Sequence, residues 1–353
     1  MLRIVSGNLL EASVEALVNT VNTVGVMGKG IALQVKQAFP EVFREYERAA
    51  RKGEIKIGRV QVVPTNRLDG PRFVINFPTK RHWRGKSRIA DIEAGLVDLA
   101  RVAKELDIKS MAVPPLGCGN GGLKWEDVRP RIVRALEGLS TDVVLYQPSG
   151  APQPEAMPVG TARPRMTPLR AALIKLVNDY AVPGYRLTLL ELQKLAYFWE
   201  ISGKPSGLDF VKERYGPYSE KLNFALQRLE GHYIRGYGDR SRDSSVALID
   251  GALDEALRAF SRHDDELDRV NRVSDLISGF ETPYGMELLA TVHWLMTHDD
   301  GSASDPAKAE QGVYGWNARK RQLFKPEHIR LAWRRLTESG WVLKAPTSGL
   351  SAM

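Results

Sequence analysis

A chain of 353 residues has room for two ordinary domains, and 43% hydrophobic with 26% charged residues is the balance of a globular protein able to bury a sizeable core. No run approaches the ~20 apolar residues that cross a bilayer, Met1-Leu-Arg-Ile-Val-Ser-Gly lacks the regions of a secretory leader, and a lone cysteine excludes a disulfide framework, so a cytosolic protein is expected. The net charge of +8 is uneven: residues 1–150 hold 23 Lys/Arg against 16 Asp/Glu and the rest 27 against 26, which suits a polyanionic substrate or is a solvated basic face.

In chain order, β-rich runs occur at Leu2–Val5, Ala16–Val21, Arg59–Pro64, Phe73–Phe77, Ser110–Val113 and Asp142–Tyr146. Helical segments lie between them at Pro40–Ala50, from Ile89 onward and at Trp125–Leu139; from Ile89, apolar positions 89, 92, 96, 99, 102 and 103 recur at helical spacing. Strands apolar on both faces that alternate with helices predict an α/β three-layer sandwich. From Pro148 to Pro168, six prolines among small and polar residues predict an extended linker, with domain 1 spanning residues 1–150, the linker 151–168 and domain 2 residues 169–353. Beyond it, Leu169–Tyr180, Leu187–Ile201, Tyr218–Leu229, Ala252–Phe260, Leu267–Ile277, Met286–Thr297 and Pro326–Ser339 carry a helical period, so the second part is predicted to be mostly α.

Three loops of the first part look unlike scaffold. In Val18-Asn-Thr-Val-Asn-Thr-Val-Gly-Val-Met-Gly-Lys-Gly-Ile-Ala-Leu-Gln a strand ends in asparagines and glycines 25, 28 and 30 lead into a helix, which reads as a diphosphate cradle or as a flexible glycine turn. It fits neither the P-loop nor the Rossmann spacing. In Pro114-Pro-Leu-Gly-Cys-Gly-Asn-Gly-Gly-Leu, glycines 117, 119, 121 and 122 point to a surface that a ligand approaches closely, and Cys118 is expected to be a buried, inert thiol. In Asn76-Phe-Pro-Thr-Lys-Arg-His-Trp-Arg-Gly-Lys-Ser-Arg, five cations surround His82 and Trp83 where a strand leaves the sheet. Such a pattern makes a single-strand nucleic-acid platform, unless Trp83 folds onto the core. All three loops leave the carboxyl side of the strands, where open α/β sheets bind ligands.

Ser6-Gly-Asn-Leu-Leu, Ala16-Leu-Val-Asn-Thr-Val-Asn, Met27-Gly-Lys-Gly-Ile-Ala and Pro115-Leu-Gly-Cys-Gly, in that order, resemble the macrodomain family, a mixed sheet between helices that binds ADP-ribose. Asn76-Phe-Pro-Thr-Lys80 resembles the branch of terminal ADP-ribose protein glycohydrolases, which use a lysine in this loop, and most of all the DarG-type DNA ADP-ribosyl glycohydrolases, antitoxins that reverse a DarT toxin's modification of single-stranded DNA. The resemblance implies Asn8 and Leu9 beside the adenine, and Thr20, Val21 and Asn22 facing the distal ribose. It further implies helix-terminal amides of Gly30, Ile31, Ala32, Leu33 and Gln34 on the diphosphate. Gly117, Cys118, Gly119, Asn120 and Gly121 would close over phosphate and ribose beside Thr79, with Lys80 catalytic and Arg81, His82, Trp83 and Arg84 on the DNA. Two positions depart from the pattern: the usual adenine-recognising Asp is Asn8, and the acidic partner of the lysine is replaced by Asn120-Gly121-Gly122.

Cleavage at the anomeric carbon develops oxocarbenium character on the sugar and negative charge on the leaving base. Lys80 could stabilise or protonate that base as a cation, or attack as a neutral amine; with no acidic partner the cationic role is favoured, Asn22 orienting the sugar. Neither cofactor nor metal is expected. Leu192-Gln-Lys-Leu-Ala-Tyr-Phe-Trp and Phe210-Val-Lys-Glu-Arg-Tyr-Gly-Pro-Tyr-Ser-Glu-Lys-Leu resemble the Panacea (SocA-like) helical antitoxin domain, which implies a toxin-binding module, although Tyr197, Phe198 and Trp199 also read as plain helix core. Nine acids against four arginines in residues 239–268 could complement a toxin's nucleic-acid groove or be merely solvated. The expected activity is release of ADP-ribose from single-stranded DNA; the alternatives are an ADP-ribosyl-protein hydrolase and a non-catalytic ADP-ribose reader.

Overall fold

In the computed structural model, all residues are described except 68, 150–156, 181–186, 238–244, 262–263 and 343–353. The described residues form two compact units, Met1–Arg163 and the residues from Pro164 on.

The first unit is the expected α/β three-layer sandwich. Its elements are β1 (Leu2–Val5), β2 (Ala16–Asn22), α1 (Gly30–Ala38), α2 (Pro40–Arg51), β3 (Gln61–Pro64), β4 (Phe73–Lys80), α3 (Ile89–Glu105), β5 (Ser110–Val113), α4 (Trp125–Leu136) and β6 (Asp142–Tyr146). The sheet order is β1-β6-β5-β2-β4-β3, parallel except for the edge strand β3. Successive side chains of a strand face opposite sides, so unbroken apolar runs feed both layers. Ala16 and Val18 pack with Ile92, Leu96 and Ile132 of α3 and α4, whereas Leu17 packs with Val35 and Ala38 of α1.

Strand β4 runs three residues past the predicted end at Phe77. Proline has no N–H for a ladder, so Pro78 argued for a strand end; the sheet accommodates it where the β2–β4 register shifts between Val21 and Asn22, with Asn22 paired to Lys80. Lys80 therefore projects from the end of a buried strand rather than from a loop.

Part of the predicted linker packs on this unit: Met157 is buried, and the Gly160 N–H donates to the Gln37 carbonyl at 2.9 Å. Linker residues 151–156 lie outside the described residues.

The second unit is mostly helical, with α5 (Pro168–Tyr180), α6 (Leu189–Ile201), α7 (Glu220–Leu229), α8 (Ala252–Phe260), α9 (Asp264–Ile277), α10 (Pro283–His298), α11 (Pro306–Trp316), α12 (Ala318–Leu323) and α13 (Pro326–Glu338). The sequence reading missed α11 and α12. Glycines 312 and 315 lower the intrinsic helicity of α11, and Gly312 is a packing residue, where a Cβ would come within 3.1 Å of Leu295. Short strands β7 (Leu187–Thr188), β8 (Val211–Glu213), β9 (Gly216–Tyr218), β10 (Ile234–Arg235) and β11 (Ser245–Leu248) were also unforeseen; β8 and β9 form a hairpin. Tyr197, Phe198 and Trp199 are helix core, with the Tyr197 hydroxyl 2.8 Å from Nδ1 of His293.

Candidate functional site

The loop after β2 is shaped by Asn22. Its Oδ1 accepts the Val24 and Val26 amides at 3.0 and 3.3 Å, and its Nδ2 donates to the Val26 carbonyl. The Tyr46 hydroxyl, buried in α2, donates to the Asn22 carbonyl at 2.7 Å. These bonds engage the Asn22 Oδ1 and one N–H of its amide in holding the loop, and they leave the second N–H of Nδ2 for a ligand. Helix α1 then begins at Gly30, whose φ of 59° lies in the left-handed region that favours glycine. Lys29 at the cap makes no side-chain hydrogen bond to the first turn. The amides of that turn, from Gly30 through Ile31 and Ala32 to Leu33, point out of the helix start, the arrangement that accepts a diphosphate. Leu33 and Gln34 are otherwise interior. Gln34 is the next residue along, where the backbone amide enters the helix ladder.

At the end of β4 the Lys80 ammonium donates to the Asn120 carbonyl at 2.9 Å and lies 3.4 Å from the Trp83 carbonyl. It makes no ion pair among the described residues, and half-burial alone lowers its pKa from the usual lysine range. The Asn120 side chain reaches the other way: a Cβ on Gly30 would meet its Nδ2 at 3.1 Å. One residue of the second glycine loop thus touches both the lysine and the start of α1. Thr79, beside them, is buried and donates to the Val21 carbonyl at 3.3 Å; Val21 is buried too, and Thr20 is half-buried on the central strand.

Two glycines of the second loop, Gly117 and Gly121, have a packing reason of their own. A Cβ on Gly121 would fall 2.3 Å from both the Gly117 carbonyl oxygen and Ser87 Oγ, and one on Gly117 would fall 3.0 Å from Ser87 Cβ. Two of the four are therefore glycine because loop packs on loop, whereas Gly119 faces open space. Ser87 was missed by sequence reasoning. It is buried, its amide donates to the Gly121 carbonyl at 3.0 Å, and its hydroxyl has no partner among the described residues. A single serine in a basic loop carries no signal of this kind. Cys118 is half-buried, and burial together with Glu126 pushes its thiol up to about 11, which keeps it protonated and inert.

The basic loop divides into two parts. Arg81 is clamped by Asp91 of α3 in a two-pronged ion pair at 2.6 and 3.1 Å, so this expected DNA contact is foremost a clip between the loop and the helix. The clip was invisible in the sequence, where the nearest acid is ten residues away. His82, Trp83 and Arg84 remain outward. Trp83 is 45% exposed rather than folded onto the core, Arg84 lies 4.5 Å over its ring, and His82 packs at 5.4 Å on the other ring contact.

After β1, Asn8 caps a short turn by accepting the Leu10 amide at 3.0 Å and donates to Glu11 at 3.1 Å. The Leu9 side chain is in the core against Leu17 and Val35, which leaves its backbone to face a ligand.

A model of the Macro domain family matches residues 18–132. The DNA ADP-ribosyl glycohydrolase of Thermus aquaticus is 48% identical over 341 residues, covering 96% of this chain and 94% of that relative. A DNA ADP-ribosyl transferase-DNA ADP-ribosyl glycohydrolase fusion protein of Thermosipho africanus is 38% identical over 162 residues, 42% of each chain. The solved macrodomain of Mycobacterium tuberculosis DarG is 60% identical over 42% of this chain and 99% of that one, with a TM-score of 0.42. With nearly its whole length aligned to such a relative, the chain belongs to the macrodomain-containing DNA ADP-ribosyl glycohydrolase family.

Proposed function

We propose that this protein acts in the cytoplasm to hydrolyse the glycosidic bond between ADP-ribose and a base of single-stranded DNA. The observation that carries the reading is the Lys80 ammonium at the mouth of β4, 2.9 Å from the Asn120 carbonyl, whose side chain meets the start of α1. A diphosphate seated on the α1 amides would place the distal ribose toward that ammonium, and the exposed Trp83 and Arg84 offer a stacking face and a charge to the attached strand.

The chemistry follows from the groups present. As the bond from the anomeric carbon to the base nitrogen lengthens, the base gathers negative charge and the ring oxygen shares positive charge with the carbon. The Lys80 ammonium, poorly solvated and facing no carboxylate among the described residues, stabilises that charge and gives up a proton to the departing nitrogen. Water adds to the sugar carbon, and the proton it sheds restores the ammonium. Burial that lowers the pKa makes Lys80 a better acid than an exposed lysine.

The C-terminal unit, on this reading, binds a DarT-type toxin, in keeping with the relative that joins transferase and glycohydrolase in one chain. Of the acidic run expected to face the toxin, Asp239 and Asp243 lie outside the described residues, Glu255 accepts the Tyr233 hydroxyl, and Glu266 pairs with Arg269, so those two acids are partly spent within the unit. The test incubates the protein with ADP-ribosylated oligonucleotide, ADP-ribosylated protein and free ADP-ribose. Release from DNA that is lost in Lys80→Ala, with ADP-ribose binding retained, is expected. Turnover of the protein substrate alone, or binding without any turnover, would overturn the reading.

A further inference from the structure

The second unit holds a buried set of charges that does not balance. Lys320, fully buried, donates to Glu287 Oε1 at 2.7 Å and to the Thr291 hydroxyl at 2.9 Å, and Arg319 donates to the same Glu287 oxygen at 2.6 Å. Lys194, also buried, donates to the Pro217 carbonyl at 2.6 Å, its one hydrogen bond among the described residues. Among the described residues, two buried lysines and the partly exposed Arg319 therefore have one carboxylate beside them, that of Glu287. Buried positive charge in excess is unfavourable unless a further anion, or the loss of a proton, offsets it. The strain shows in the lysines themselves: burial and then the charge of Lys320 pull Lys194 down to about 7, and burial with the charge of Arg319 pulls Lys320 to about 8.

Beside Arg319 lies an open surface depression of about 530 Å³ between the β8–β9 hairpin and the α11–α12 turn. Its walls include Lys212, Arg214, Arg319 and Trp316, with Glu213 the one acid. Lys212 and Arg214 are exposed and make no ion pair among the described residues; Lys212 lies 4.4 Å over the Trp316 ring, with Lys320 at 5.3 Å. The Trp316 indole N–H donates to the Glu213 carbonyl and Asn317 Nδ2 to that of Arg214, both at 3.0 Å, so turn and hairpin are tied into one frame.

We propose that this depression binds a nucleoside phosphate, its phosphate held by Lys212, Arg214 and Arg319 and its base laid on the Trp316 indole as the Lys212 ammonium moves to the phosphate. The depression is several times larger than a lone carboxylate or phosphate, with room for a sugar and a base beside the phosphate. Two guanidinium forks suit phosphate oxygens, and a ring already carrying a cation is a natural base platform. An acidic side chain of a protein partner would use the cations and leave the indole idle. The same chemistry is offered by a free nucleotide or by one residue of a single strand.

The full chain is titrated by calorimetry with thymidine monophosphate, with inorganic phosphate and with a nine-residue oligothymidylate, and the Lys212→Ala/Arg214→Ala double variant is titrated alongside. Both residues are exposed, so the fold should survive, and the N-terminal site is identical in the two proteins. A thymidine monophosphate affinity at least ten-fold weaker in the variant, with inorganic phosphate binding the wild type much more weakly, is expected. Tighter binding of the oligomer than of the mononucleotide would assign the strand as the source, and the reverse order the free nucleotide. Equal nucleotide binding by both proteins, or inorganic phosphate binding as tightly as the nucleotide, would overturn the proposal. So would a variant that keeps the nucleotide and loses only a glutamate-rich peptide.

Discussion

Replacing Lys80 by Arg, Gln and Ala separates its two possible roles. A full negative charge about 4 Å from an ammonium is worth ~4 kcal/mol at the effective dielectric of ~20 that suits a half-buried pair. Only the charge that develops between ground and transition state speeds the reaction, so about half of that, ~2–3 kcal/mol, is the expected loss on removing the cation, or roughly 10²-fold in kcat. Lys80→Ala and Lys80→Gln should both show it in single-turnover release of ADP-ribose from a modified oligonucleotide, with the affinity for free ADP-ribose little changed. Lys80→Arg keeps the charge and should recover part of the rate. The pH profile supplies the sign. Burial lowers the Lys80 pKa, so the ammonium is complete at low pH and lost as pH rises through a value below the usual lysine range. For a cationic lysine, kcat falls across that window, whereas a nucleophilic amine would make it rise. A rising limb, together with an inactive Lys80→Arg, would refute the cationic mechanism.

Asn120→Asp sets a carboxylate at the start of α1, where the Asn120 amide now meets Gly30, so it should compete with the diphosphate and weaken ADP-ribose binding about ten-fold by calorimetry. Gly121→Ala drives a Cβ to 2.3 Å from the Gly117 carbonyl and Ser87 Oγ, which should shift the loop and lower kcat/KM roughly 10²-fold, since small misplacements near the reacting atoms are costly; unaltered kinetics would mean the two loops need not touch. Lys194 titrates near 7 in the fold and in the ordinary lysine range when unfolded, so between those values the unfolded chain binds more protons and stability rises with pH. Urea melts at pH 7 and pH 9 should show that rise in the wild type and a flatter response in Lys194→Met; identical slopes would remove Lys194 as the cause.

The sequence by itself determined the layered fold of the first unit, because runs such as Ala16-Leu-Val can satisfy both faces only inside a covered sheet, and it located the three loops by their glycine and cation content. It also carried the helical character of the second unit, since apolar spacing is a local property of the chain. What partners those residues take was decided by tertiary structure. Lys80 became the end of a strand because β2 shifts register beside Pro78, and Arg81 turned from a free cation into a clip because α3 presents Asp91 at its first turn. Gly117 and Gly121 answer to Ser87 from another loop, and the Asn22 amide braces its own turn. Each of these depends on contacts between segments distant in the chain or on an exact backbone path, and no composition, spacing or periodicity records which side chain meets which atom once the sheet brings the loops to one rim.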